Sequence, residues 1–210
     1  MSLSQDILAE LAEIAADSAL GKARALREAA TRHAQGSYEV LFSQQDEDFP
    51  LEERFAVAAK VARLHQADAL AAHYAGFGIA DPTTPRLAAA LGFARLLTFT
   101  PVEATPAALQ TLGDAGWSLR GIVTLAQLVA FVSFQSRLLS VLLNGKPISA
   151  AGTPVVAGYW HTHPRTASGK PAPVAFTRDE LHWEPWIADK PLAEFNDAEQ
   201  ALLAQFGHSD

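Results

Sequence analysis

Apolar residues return every third or fourth position through almost all of residues 4–143, and Gly or Pro interrupts them at short intervals. That period lines up side chains on one face of an α-helix, whereas a half-buried strand alternates every second residue. The clearest case is the segment behind Ser118, where Ile122, Leu125, Val129, Val132 and Leu139 share a face and Asn144-Gly145 supplies the stop. Ile7, Leu8, Leu11, Ile14 and Ala15 predict a helix over 4–17 with Ser4 as its N-cap, and Gly21 breaks the pattern before a second helix over 22–42. Pro50 suits the first position of a helix over 51–64, with Phe55, Ala58, Ala59, Ala62 and Leu64 in line. Shorter helices follow over 66–75, from 85 through Leu97, and from Thr105-Pro106 to Leu112. The expected fold is therefore all-α, with seven helices over residues 1–145.

The remainder differs in character. Pro147, Pro154, Pro164, Pro171, Pro173, Pro185 and Pro191 exclude a long regular helix. Tyr159, Trp160, Phe176, Trp183 and Trp186 argue that the segment lies against a surface, its own or a neighbour's. The expected organisation is a helical domain over 1–147 and an extended arm over 148–210. Asn196 caps a final short helix at about 197–206.

Composition narrows the function classes. The 210 residues carry a net charge of −7, and no segment gathers Lys and Arg into a stripe, so neither nucleic acid nor an anionic membrane is an expected partner. The absence of cysteine removes disulfides, thiolate nucleophiles and Cys-ligated metals together. The N-terminal segment has acids within its apolar pattern and no basic n-region, unlike a signal peptide. Gln127, Ser133, Gln135, Ser136 and Arg137 interrupt the most apolar segment, where a membrane span needs ~18 or more nearly unbroken apolar residues. A cytoplasmic protein is expected.

The chemistry-bearing residues concentrate in 51–74, LEERFAVAAKVARLHQADALAAHY. This window resembles the active-site helices of the carboxymuconolactone decarboxylase (CMD) superfamily, especially its alkylhydroperoxidase D (AhpD) branch. There an early Glu is followed by C-x-x-C and then a His. Laid on this chain, the Glu falls on Phe55, the cysteines on Ala67 and Leu70, and the His on Tyr74. Residues 86–101, RLAAALGFARLLTFTP, are similar to the family's post-motif helix, and 105–145, with Phe134 and Arg137 in an F-x-x-R arrangement, to its closing helix pair. The tail FTRDELHWEPWI, 176–187, resembles a segment that precedes the domain in peroxidase-related proteins.

The resemblance covers about 38–145. It implies an AhpD-like helical bundle, a cleft near a subunit boundary and a homo-oligomer. It also implies an antioxidant, peroxidase-related setting. In the active branch a cysteine thiolate attacks peroxide while Glu and His relay its proton. Phe55, Ala67, Leu70 and Tyr74 offer no nucleophile and no relay, because a tyrosine titrates near ~10. The expectation is a chain that is not itself a thiol peroxidase, needs no cofactor, and serves as a binding or structural partner of an AhpD-like peroxidase.

Two other chemistries stay open. His73 could act as general base in a cofactor-free lyase or isomerase of decarboxylase type, with Tyr74 or a carboxylate assisting; alternatively it is a hydrogen-bonded structural residue. Asp68 lies roughly 140° from His73 around a helix, whereas His65 and Asp68, three apart, could meet or could simply decorate a turn. Glu52 and Glu53 read as first-turn acids favoured by the helix dipole. The run VVAGYWHTHP offers His161 and His163, which on a strand would face one ion, with Asp179 or His182 as a third ligand. It is similar to the zinc strand of JAMM-type metalloproteases, but the Ser and Asp slots of that pattern hold Pro171 and Val174. Gly76-Phe77-Gly78 reads as a helix stop, and Asp46-Glu47-Asp48 as a solvated loop.

Overall fold

The computed structural model describes residues 6–43, 45–145 and 192–206, and among them every regular element is helical. The chain divides into two units, Met1–Pro154 and Val155–Asp210. In the first unit the helices are α1 (Ile7–Leu11), α2 (Ala19–Ala25), α3 (Glu28–Ser43), α4 (Leu51–Leu64), α5 (Asp68–Ala75), α6 (Pro85–Phe99), α7 (Pro106–Asp114) and α8 (Leu119–Asn144). A 3₁₀ turn, Pro101–Glu103, joins α6 to α7. The second unit contributes a 3₁₀ turn, Leu192–Glu194, and α9 (Asp197–Phe206). The boundary expected at 147/148 lies outside the described residues, as do the aromatic arm residues Tyr159 to Trp186.

Helix α4 is the centre of the first unit and packs against α3, α5, α6 and α8. Phe55, Ala58, Ala59 and Ala62 are buried on it as their spacing requires, Leu64 at its end is half-buried, and Val57 and Val61 are buried as well. Its alanines remove the bulk that would hold neighbouring helices apart, so α5 and α8 approach closely. Helix α8 buries Ile122, Leu125, Leu128, Val129, Val132 and Leu139 against α1, α3, α4, α6 and α7. Among the described residues it is the one helix long and apolar enough to cross a membrane by length and composition. Its packing is that of a central bundle helix.

Several local expectations give way. The expected first helix over 4–17 ends at Leu11, because Glu13 adopts a left-handed conformation (φ 52°) and the Ile14 amide turns back to the Ala9 carbonyl at 2.9 Å. Its cap is Asp6, whose carboxylate accepts from the Ala9 amide at 3.1 Å; Ser4 lies outside the described residues. Gly21 does not break a helix. It sits inside α2, where a Cβ would stand 2.3 Å from the Ala15 carbonyl oxygen, so the chain needs a glycine there for close approach. The expected helix over 22–42 is two helices, with Leu26 and Arg27 between them, raising the count over 1–145 from seven to eight among the described residues.

Pro50 is the N-cap residue of α4 rather than its first helical residue, held extended at ψ 150°. The next helix begins at Asp68, not 66, because Gln66 (φ 58°) closes α4 as Glu13 closes α1: the Ala67 amide reaches the Ala62 carbonyl at 2.9 Å. Ser118 caps α8 through the Gly121 amide, and Gly145 ends it at φ 71°. Asn196 and Glu199 exchange side-chain to backbone bonds of 2.9 and 2.8 Å, a reciprocal cap on α9.

The 45–50 loop is anchored rather than merely solvated. Asp46 accepts from Arg120 at 3.2 Å and lies 3.7 Å from Arg54. Arg54 is buried, and it donates to the Phe49 and Leu41 carbonyls at 2.6 and 2.8 Å. A cation at that depth is tolerated because its fork is satisfied by carbonyls and a carboxylate.

Candidate functional site

Helices α4 and α5 carry three of the four positions singled out by sequence, Ala67 immediately precedes α5, and the core around them is aromatic. Phe55, 7% exposed, stacks between Phe42 and Phe77 at centroid distances of 5.4 and 4.7 Å. Tyr74, fully buried, meets the same Phe42 ring at 4.8 Å. Leu70 is fully buried one turn earlier on α5, and Ala67 is the half-buried residue preceding that helix. Phe55 and Tyr74 are therefore brought together through Phe42, in a core of packed rings.

Two hydrogen bonds tie polar groups into this core. The Tyr74 hydroxyl donates to the Gln135 side-chain carbonyl on α8. Next to it, the Tyr38 hydroxyl lies 2.8 Å from Nε2 of His73. His73 is half-buried and presents ring edges to Tyr74 and Phe77 at 5.3 and 5.1 Å. Tyr38 on α3 is 1% exposed.

The electrostatics set the charge states. Burial lowers the His73 pKa below its ordinary value, opposed by the negative charge of Glu10. Burial, and then Glu10, pushes the Tyr38 hydroxyl up to about 12. Burial, with Tyr38 adding to it, raises the Tyr74 hydroxyl well above its ordinary value, against the opposing hydrogen bond to Gln135. At neutral pH the phenol is protonated and the imidazole neutral. In the Nδ1–H tautomer Tyr38 donates and His73 accepts through Nε2; in the Nε2–H tautomer the imidazole donates to the phenol oxygen. In the first arrangement the basic lone pair of His73 is engaged by a buried phenol, and base chemistry would pass through Tyr38.

The remaining expected residues do not join this cluster. His65 closes α4, is 3% exposed, and pairs with Ser133 on α8 through Nε2 at 3.0 Å. Its Nδ1 is buried without a partner. Burial, then the charge of Arg137, lowers its pKa. A neutral ring with the proton on Nε2 satisfies this geometry, leaving Nδ1 as a bare acceptor rather than an orphaned donor. Asp68 is exposed in the first turn of α5, so the possible His65–Asp68 contact is replaced by the bond to Ser133. Glu53 pairs with Arg86 at 3.2 Å, and Glu52 is exposed in the first turn of α4. His161, His163, Asp179 and His182 lie outside the described residues. Among those described, no group of three or more His, Cys, Asp or Glu is placed to hold a metal ion.

No family model, no curated protein and no solved structure matches this chain. The site is thus defined by its own residues. Sequence reasoning missed Tyr38 and the pairing role of Gln135. Gln135 did leave a signal, an amide within an apolar helical run. Tyr38 left none, since an aromatic in an apolar stretch reads as ordinary core.

Proposed function

We propose that the chain is a cysteine-free relative of the CMD/AhpD-like superfamily that acts by binding, as a structural partner of an AhpD-like peroxidase, rather than as a thiol peroxidase. One observation carries the reading. An all-helical core encloses Phe55, Leu70 and Tyr74 at positions where the resemblance calls for a carboxylate, a thiol and an imidazole. None of these side chains is a nucleophile, and the rings around them leave the phenol of Tyr74 no accessible proton to relay. The reading also includes a cytoplasmic location and a homo-oligomer, in keeping with Phe134, Val141 and Leu143 exposed along α8. Peroxide consumption with reduced dithiol donors is the direct test. Expected is no turnover above heat-killed protein, together with complex formation on mixing with a purified AhpD-type peroxidase. Measurable peroxide turnover overturns the proposal.

The pairing of Tyr38 with His73 favours a second reading, a cofactor-free lyase or isomerase in which His73 is the base. In that case His73→Gln abolishes an activity that Tyr74→Phe leaves largely intact. Equal loss from both variants would mark a folding effect and remove this reading.

A further inference from the structure

A cavity of about 330 Å³ opens among α1, α2, α3 and α8, with Gln135 in its lining. Its two long walls differ in chemistry. On α8, Phe134, Leu138 and Leu142 follow one another at intervals of four and form an apolar wall. Opposite them, Arg27, Thr31 and Gln35 also follow at intervals of four, and the small residues beside them on α3 leave the space open. Gln135, 1% exposed, also lines the cavity; its carbonyl is taken by Tyr74, so its amide donors are what it has to offer there.

Charge decides the ligand's sign. Two guanidinium groups and one carboxylate line the space. Asp6 and Arg24 neutralise each other at 2.6 Å. Arg27 is exposed and makes no salt bridge among the described residues. The lining therefore holds one uncompensated cation at the edge of a mostly apolar space, at the small end of the ~300–1,000 Å³ range typical of ligand sites. A guanidinium fork matches a carboxylate in shape as well as charge.

We propose that this cavity binds a small amphipathic monocarboxylate, an unbranched alkyl acid. Its carboxylate lies on Arg27 and its chain lies along Phe134, Leu138 and Leu142. This site is separate from the Tyr38–His73 pair, and it stands whether or not the kinship proposed above holds.

Calorimetric titration of the full chain with butanoate, hexanoate, octanoate and decanoate, and with octanol as the uncharged control, tests it. Each added methylene should tighten binding by roughly fourfold until the space is full. Octanol should bind roughly tenfold more weakly than octanoate, and Arg27→Gln should erase that difference. Ala34→Phe, which pushes a ring into the cavity from α3, should abolish binding of both while leaving the far-ultraviolet dichroism unchanged. Should that variant not fold, the octanoate-to-octanol ratio in Arg27→Gln decides alone. The proposal is overturned by any of four results: no octanoate binding to the wild type at millimolar concentration, equal affinity for octanoate and octanol, an unchanged ratio in Arg27→Gln, or undiminished binding to folded Ala34→Phe.

Discussion

The hydroxyl of Tyr74 on α5 donates to the side-chain carbonyl of Gln135 on α8, with Tyr74 fully buried and Gln135 1% exposed. Each group is acceptable at that depth only because of the other, since an unpaired buried polar atom retains its full desolvation cost. Tyr74→Phe should therefore destabilise the protein by about 1–3 kcal/mol, although it removes only one oxygen. Adding Gln135→Met should recover part of that loss, because the stranded acceptor disappears with its donor. Urea unfolding of the two single variants and the double variant measures the coupling. Additive single effects would mean that the bond contributes nothing of its own.

Protonation links this core to pH. His65 and His73 both have pKa values lowered by burial, so around and below ~6.5 the unfolded chain binds protons that the folded chain refuses. Their contribution to stability is complete above that value and is lost as pH falls through the window beneath it. Tyr38 has the opposite sense: its pKa is raised to about 12, so its contribution is complete below ~10 and is lost as pH climbs from there. The thermal midpoint should be level near neutrality and decline on both sides. Replacing both histidines by Gln should flatten the acid limb relative to the wild type. An acid limb of unchanged slope would place the responsible groups elsewhere.

The sequence carried the helices and the core far better than the site. Phe55, Ala58, Ala59 and Ala62 on α4, and Ile122, Leu125, Val129, Val132 and Leu139 on α8, are buried as their spacing requires, because burial on a helix follows a fixed period. The ends were legible only where the stop has a chemical signature, as at Gly145. Glu13 and Gln66 end their helices in left-handed conformations that neither residue type advertises. The site was less legible still. His73 and Tyr74 are neighbours in sequence, yet their partners, Tyr38 and Gln135, lie 35 and 61 residues away. Only the packing of α3 and α8 around α5 decides those pairs, and spacing within one helix says nothing about it.

Arg86 is a second place where distant segments converge. Its guanidinium lies over the Trp117 ring at 4.2 Å, donates to the Gly116 carbonyl at 2.7 Å, reaches the Asp48 carbonyl, and pairs with Glu53. The Trp117 indole returns a bond to the Arg86 carbonyl at 2.9 Å. One planar fork thus ties the 45–50 loop to α4, α6 and the turn between α7 and α8. Arg86→Lys keeps the charge but loses the fork and the flat stacking face. It should cost about 1–3 kcal/mol, because several charged hydrogen bonds go at once. Glu53→Gln should cost less than 1 kcal/mol, since a partly solvated ion pair contributes ~0–1. Chemical denaturation of both variants gives the comparison, and equal losses would show that the ion pair, rather than the fork, holds the junction.

The turn between α4 and α5 offers a gain instead of a loss. Gln66 holds φ 58° so that the Ala67 amide can reach the Ala62 carbonyl, and its side chain is exposed. A side chain in that region costs roughly 1–2 kcal/mol through the clash of Cβ with the carbonyl. Glycine escapes the clash but gives back about 0.5–1 kcal/mol in unfolded-state entropy. Gln66→Gly should therefore stabilise by about 0.5–1 kcal/mol. Gln66→Val should destabilise, since a β-branched residue fits that conformation worst. Glu13→Gly, at the end of α1, should behave like Gln66→Gly if backbone strain is the cause at both sites. A thermal midpoint that rises for neither glycine variant would mean that these turns are not strained.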